Sequence, residues 1–134
     1  MTGRKILIIE DNQLNLELAS DLLEANGFLV ASSRTAEEGL RMAREISPDL
    51  VLMDLGLPGM NGLCATKNLK ANPATRQLIV VGITAHAMKG DQEICLQAGF
   101  DGYLTKPIDT RTFIDSIKSF VALAVAPPAT KPTL

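Results

Sequence analysis

The chain has no tryptophan, one tyrosine and four phenylalanines, so aromatic residues make up only 4% of it. That leaves too few rings to sandwich a flavin or to stack the bases of a single-stranded nucleic acid. Histidine occurs once, and the two cysteines, Cys64 and Cys95, stand apart with no CxxC spacing. A zinc centre needs several such ligands, so none is expected. The cysteines are read as two buried, reduced thiols of a cytosolic protein. Thirteen basic residues against fifteen acidic ones give a formal net charge of −2, which is no footprint for nucleic acid. No apolar run approaches the ~20 residues that cross a bilayer. The opening Met1-Thr2-Gly3-Arg4-Lys5 leads into a few apolar residues before the acidic Glu10-Asp11, which is not the layout of a signal peptide. A cytoplasmic protein that engages neither membrane nor nucleic acid is expected.

What is present is an alternation. The 134 residues, 46% of them hydrophobic, suffice for one domain with one sizeable core. Lys5–Ile9 is short, continuous and rich in isoleucine, as a strand covered on both faces should be. Residues 12–26 carry Leu14, Leu16, Leu18, Leu22 and Leu23 and stop at Gly27, which predicts a helix with glycine just past its end. Leu29–Ser33 is a second strand whose polar end suits a sheet edge. Thr35 caps a helix running to Ile46, with Glu37 and Glu38 in the first turn where the helix dipole favours acids. Residues 50–53 form a third buried strand, followed by a loop over 55–61 with Gly56, Pro58 and Gly59. A helix over Gly62–Ala71 ends at Asn72-Pro73. Strands at 78–83 and 103–105 flank a helix at 88–98, and Asp109 or Thr110 caps a last helix reaching about residue 125. The tail, 126–134, holds three prolines without periodicity and is read as a frayed end or linker stub.

Five strands, each followed by a helix, predict a doubly wound α/β domain with a parallel sheet. Ligands of such sheets bind at the carboxyl ends of the strands. The first strand ends in Glu10-Asp11, the third in Asp54, the fourth in Thr84 and the fifth in Lys106-Pro107. Asp11 alone would serve equally as a helix cap. Three carboxylates on adjacent strands are harder to explain by structure, because two anions ~4 Å apart repel by ~4 kcal/mol at an effective dielectric near 20. Such a cluster either raises its pKa values or holds a cation. Oxygen ligands without histidine or cysteine point to a hard ion, and Mg²⁺ suits one or two carboxylates completed by waters and a phosphate. Lys106 beside them reads as a point charge for a carboxylate or phosphoryl oxygen.

These residues carry a family resemblance over about 4–121. The chain resembles the receiver domains of two-component response regulators, the CheY-like family, and within it the single-domain regulators of the DivK type. The resemblance rests on Glu10-Asp11, on Asp54-Leu55-Gly56-Leu57-Pro58-Gly59-Met60-Asn61-Gly62, on Thr84-Ala85, and on Gly99-Phe100-Asp101-Gly102-Tyr103-Leu104-Thr105-Lys106-Pro107. It implies a flavodoxin-like (βα)5 fold with strand order 2-1-3-4-5 and a receiver domain over 4–125. It further implies that Asp54 accepts a phosphoryl group from a phosphohistidine on a histidine kinase or histidine phosphotransfer protein. Mg²⁺ would be held by Asp11, Asp54 and the Gly56 carbonyl, with Glu10 acting through a water. Lys106, the Thr84 hydroxyl and the Ala85 N–H would receive the phosphoryl oxygens, and Thr84 with Tyr103 would form the switch. Output would pass to a downstream partner through the face made by the fourth helix, fifth strand and fifth helix, from a monomer or weak dimer that is a phosphoacceptor rather than an enzyme.

Plainer readings stand beside several of these. Tyr103 also suits a half-exposed tyrosine on an edge strand, His86 a residue at the rim of the site, and Gly90 a tolerated helix defect costing ~1 kcal/mol relative to alanine. The leucines of the first helix are read chiefly as core, with a kinase-docking edge second. Three rivals remain for the whole chain: the same domain excised from a hybrid kinase or multidomain regulator, a flavodoxin-like flavin carrier, and a phosphatase of the haloacid dehalogenase type. The flavin carrier lacks its phosphate loop after strand one. The phosphatase would need a second aspartate where Gly56 stands.

Overall fold

A computed structural model of the chain describes residues 4–55, 62–84, 99–105 and 108–125; the side chains of 63, 84 and 123–125 are not among what is described. The described elements are β1 (Lys5–Ile9), α1 (Gln13–Ala25), β2 (Leu29–Ser33), α2 (Ala36–Ile46), β3 (Leu50–Asp54), α3 (Gly62–Ala71), β4 (Ile79–Thr84), β5 (Gly102–Thr105) and a last helix, Thr110–Val125. The five strands make one sheet in the order β2-β1-β3-β4-β5, and every pair is parallel. The predicted helix at 88–98 and the tail at 126–134 lie outside the described residues.

The order follows from which runs are apolar throughout. All five residues of β3 are buried, because the central strand is covered on both faces. On one face Ile6, Ile8, Leu50 and Leu52 pack with Leu16 and Leu23 of α1 and with Phe113 and Ile117 of the last helix. On the other, Leu7, Ile9, Val51 and Met53 pack with Leu40 and Ala43 of α2 and Ala65 and Leu69 of α3. Each such side chain contributes about 1.5–3 kcal/mol by leaving water. At the edge, β2 pairs with β1 alone, and its Leu29 is exposed.

Local chemistry sets the helix ends. The Asn12 side chain accepts from the Asn15 N–H, and Thr35 accepts from the Glu38 N–H, each satisfying a donor that the first turn leaves open. Gly27 follows α1 at φ 88°. Ser47 closes α2 at φ 47°, the left-handed region that glycine usually supplies, and Pro48 then blocks any continuation. Asp109, not Thr110, caps the last helix: its Oδ1 accepts from the Arg111 N–H at 2.9 Å.

Two expectations need correction. The buried stripe of α1 is Leu16, Ala19 and Leu23, whereas Leu14 and Leu18 are exposed, at 75% and 39%. Five leucines wrap more than one face of a helix, so they cannot all reach the core. Cys64 is exposed too, because α3 buries Ala65, Thr66 and Leu69 and turns Cys64 outward; Cys95 lies outside the described residues.

At the amino ends of the strands, charges are matched pairwise. Asp49, just before β3, accepts from the Lys5 N–H at 2.8 Å and lies 3.6 Å from Arg4, while Lys5 Nζ donates to the Ile46 carbonyl. Asp101, just before β5, accepts from the Val80 N–H at 2.8 Å and from Lys70 Nζ at 2.9 Å. Lys70 Nζ also donates to the Leu78 carbonyl at 2.8 Å.

Candidate functional site

The carboxyl ends of the same strands are built differently. Register brings Ile9 level with Met53 on β3, so the next residue along each chain sets Glu10 beside Asp54. The ladder to β2 continues one step further, with the Glu10 N–H donating to the Ser33 carbonyl at 3.0 Å. Beyond it β1 leaves the sheet. The Asn12 N–H donates to Glu10 Oε2 at 3.1 Å, which folds the glutamate back against the start of α1. Asp11 stands between them, partly exposed, while Glu10 and Asp54 are only 2% and 3% exposed.

Glu10, Asp11 and Asp54 each present one carboxylate oxygen within 4.8 Å of the other two. In an octahedron with bonds of 2.0–2.1 Å, opposite oxygens lie ~4.2 Å apart and neighbouring ones ~2.9 Å. The three acids therefore stand close enough together to share one Mg²⁺ shell. All the donors are hard oxygens, the set that Mg²⁺ prefers and zinc does not. The residues present fit the ion.

Of the other residues singled out from the sequence, Thr84 ends β4. Asp54 pairs with Ile83, so Thr84 follows one residue beyond the level of Asp54 on the adjoining strand, and it pairs in turn with Thr105. Tyr103 lies on β5 opposite Gly82 and is half-buried. Gly56, Ala85, His86, Gly90, Lys106 and Pro107 lie outside the described residues.

One residue of this corner was missed. Arg34, the first residue after β2, reaches across to the Asp11 carbonyl, its Nη2 donating at 2.8 Å. The available signal was topological: β2 neighbours β1, so a long cation directly after β2 must lie near whatever follows β1.

A parallel sheet in this order, with an acid trio at the carboxyl ends of its two central strands, defines a class before any relative is considered. The chain belongs to the response regulator receiver domain family, whose sequence profile matches residues 6–118. It is 45% identical over 118 residues to the polar-differentiation response regulator DivK of Brucella ovis, covering 88% of this chain and 96% of that protein. Among solved structures it resembles a putative response regulator from Chloroflexus aurantiacus (TM-score 0.86, 26% identity, 90% of this chain and 99% of that one). It also resembles the receiver domain of a sensor histidine kinase from Pseudomonas aeruginosa PAO1 (TM-score 0.83, 31% identity, 90% and 99%), a structure with a magnesium ion coordinated in its active site cleft. The protein is a CheY-like receiver of two-component signalling, a family of signalling phosphoacceptors.

Proposed function

We propose that the domain, residues 4–125, accepts a phosphoryl group on Asp54 from the phosphohistidine of a histidine kinase or histidine phosphotransfer protein, and thereby switches its protein contacts. The observation that carries this reading is the acid trio: Glu10, Asp11 and Asp54 come within 4.8 Å of one another at the carboxyl end of the sheet. Asp11 and Asp54, with the Gly56 carbonyl, would hold Mg²⁺, and Glu10 would act through a water. Once bound, the ion neutralises charge on the phosphoryl oxygens and orients the donor.

The chain's own part is positioning and charge. An oxygen of Asp54 attacks phosphorus as the P–N bond to the donor imidazole breaks, and that bond's electron pair returns to the ring nitrogen. Lys106, the Thr84 hydroxyl and the Ala85 N–H take the three phosphoryl oxygens. The added charge of about −1.5 to −2 draws Thr84 inward, and Tyr103 fills the space behind it, which changes the face made by the segment 88–98, β5 and the last helix. A partner that binds this face more tightly in one state then reads the phosphorylation. The setting is the cytoplasm, where both partners are found.

Incubation with acetyl phosphate or phosphoramidate and Mg²⁺, followed by mass spectrometry, tests the reading. One phosphoryl adduct is expected, absent without Mg²⁺ and absent in Asp54→Asn. Equal labelling of Asp54→Asn would overturn it. Amide exchange with beryllofluoride and Mg²⁺ tests the output: protection should change at Tyr103 and over 88–98 more than in α2.

A further inference from the structure

Mg²⁺ tolerates little error in where its ligands stand, and Asp11 lies where β1 has already left the sheet. Its backbone is held by neither the sheet ladder nor the helix: the helical pattern of α1 begins with the Leu16 N–H donating to the Asn12 carbonyl. Among the described residues, what holds it is a clasp on one peptide group. The N–H of the Asp11–Asn12 peptide donates to Glu10 Oε2 at 3.1 Å, and the carbonyl of that same peptide accepts from Arg34 Nη2 at 2.8 Å. A peptide group is planar, so holding both its ends restrains the backbone rotation that follows the Asp11 Cα and narrows the directions open to the Asp11 side chain. Arg34 is itself placed by the last rung of the sheet, since the residue before it, Ser33, accepts from the Glu10 N–H. The Ser33 hydroxyl, 2% exposed with its residue, bridges to the Thr35 backbone and stiffens the loop from which Arg34 extends.

We infer that Arg34 is a positioning residue for Mg²⁺ binding, acting through the Asp11 main chain and touching neither ion nor phosphoryl group. The inference rests on the reading of Asp11 as a ligand. Charge and position push in opposite directions here, which makes the case testable. As a bare cation near the site, Arg34 would repel Mg²⁺, though an exposed guanidinium is strongly screened. As a clasp it favours Mg²⁺, and outer partners of this kind change metal affinity by about 10- to 100-fold.

The test is Arg34→Met, which keeps an unbranched apolar stem and removes both donor and charge. Mg²⁺ is titrated by calorimetry and by the amide resonances of Asp11 and Asn12, and acetyl phosphate labelling is followed against Mg²⁺ concentration. The dissociation constant for Mg²⁺ should rise about tenfold, the low end for an exposed partner. The Mg²⁺ concentration for half-maximal labelling should rise by the same factor. The rate at saturating Mg²⁺ and the melting temperature in Mg²⁺-free buffer should stay those of the parent. An unchanged dissociation constant, or a lowered one as a bare charge would give, overturns the role of Arg34. A parent protein that binds no Mg²⁺ overturns the ligand assignment itself.

Discussion

The two ends of one sheet treat charge in opposite ways. At the amino ends every acid named above has a cation and a backbone N–H: Asp49 with Arg4 and Lys5, Asp101 with Lys70 and Val80. These groups tie loops to strands. At the carboxyl ends three acids from two strands are gathered within 4.8 Å, a spacing at which like charges repel by ~3–4 kcal/mol per pair at an effective dielectric of 20. The first arrangement serves the fold at rest; on the function proposed, the second serves the ion it takes up. Removing an acid should therefore cost stability at one end and chemistry at the other.

The largest expected effect is at the carboxyl end. Asp54→Asn should abolish labelling and the Mg²⁺-induced rise in melting temperature, with a stability in Mg²⁺-free buffer close to the parent's. A parent stabilised by ~2.7 kcal/mol at Mg²⁺ a hundredfold above its dissociation constant provides the reference, and urea titrations with and without Mg²⁺ give both numbers. A marked loss of stability in Mg²⁺-free buffer would erase the contrast. Gly39→Ala comes next, at about 3 kcal/mol. A Cβ there would overlap the fully buried Ile9 side chain, pushing α2 away from β1 one residue before Glu10, so both stability and Mg²⁺ affinity should fall. Asp101→Ala, at the amino end, should cost about 2 kcal/mol by leaving the Val80 N–H without its acceptor and Lys70 without its counter-ion, yet leave labelling and Mg²⁺ affinity unchanged. Reduced Mg²⁺ affinity in that variant would show that the two ends are coupled. The smallest effect is a gain. Thr66 is fully buried and its hydroxyl has no hydrogen-bond partner among the described residues, so Thr66→Val should stabilise by about 1 kcal/mol, read as a higher denaturation midpoint with unaltered labelling.

Legibility followed the same division. β1 and β3 could be read because burial on both faces leaves uninterrupted apolar runs, and the cap Thr35 because a short polar side chain at that point has a backbone donor to satisfy; the cap of α1 falls on Asn12, one residue past the candidate Asp11. The trio Glu10, Asp11 and Asp54 was legible through a rule about strand ends, which needs only the order of elements. The outward turn of Leu14, Leu18 and Cys64 was not, since it depends on how each helix is rotated against the sheet. Nor was the clasp of Arg34 on Asp11, which joins two loops far apart in sequence. The strand order came from the resemblance, because the polar end of β2 marks an edge strand but does not order the others.

The placing of Asp54 at the end of the central strand also bears on when the chain becomes competent. β3 pairs with β1 and β4, each separated from it along the chain by at least one helix, so the corner around Asp54 exists only once these non-local pairings have closed. A nascent or partly unfolded chain carries the aspartate but not the corner around it. The acid trio is thus a property of the finished sheet, and the chemistry proposed for it begins only there.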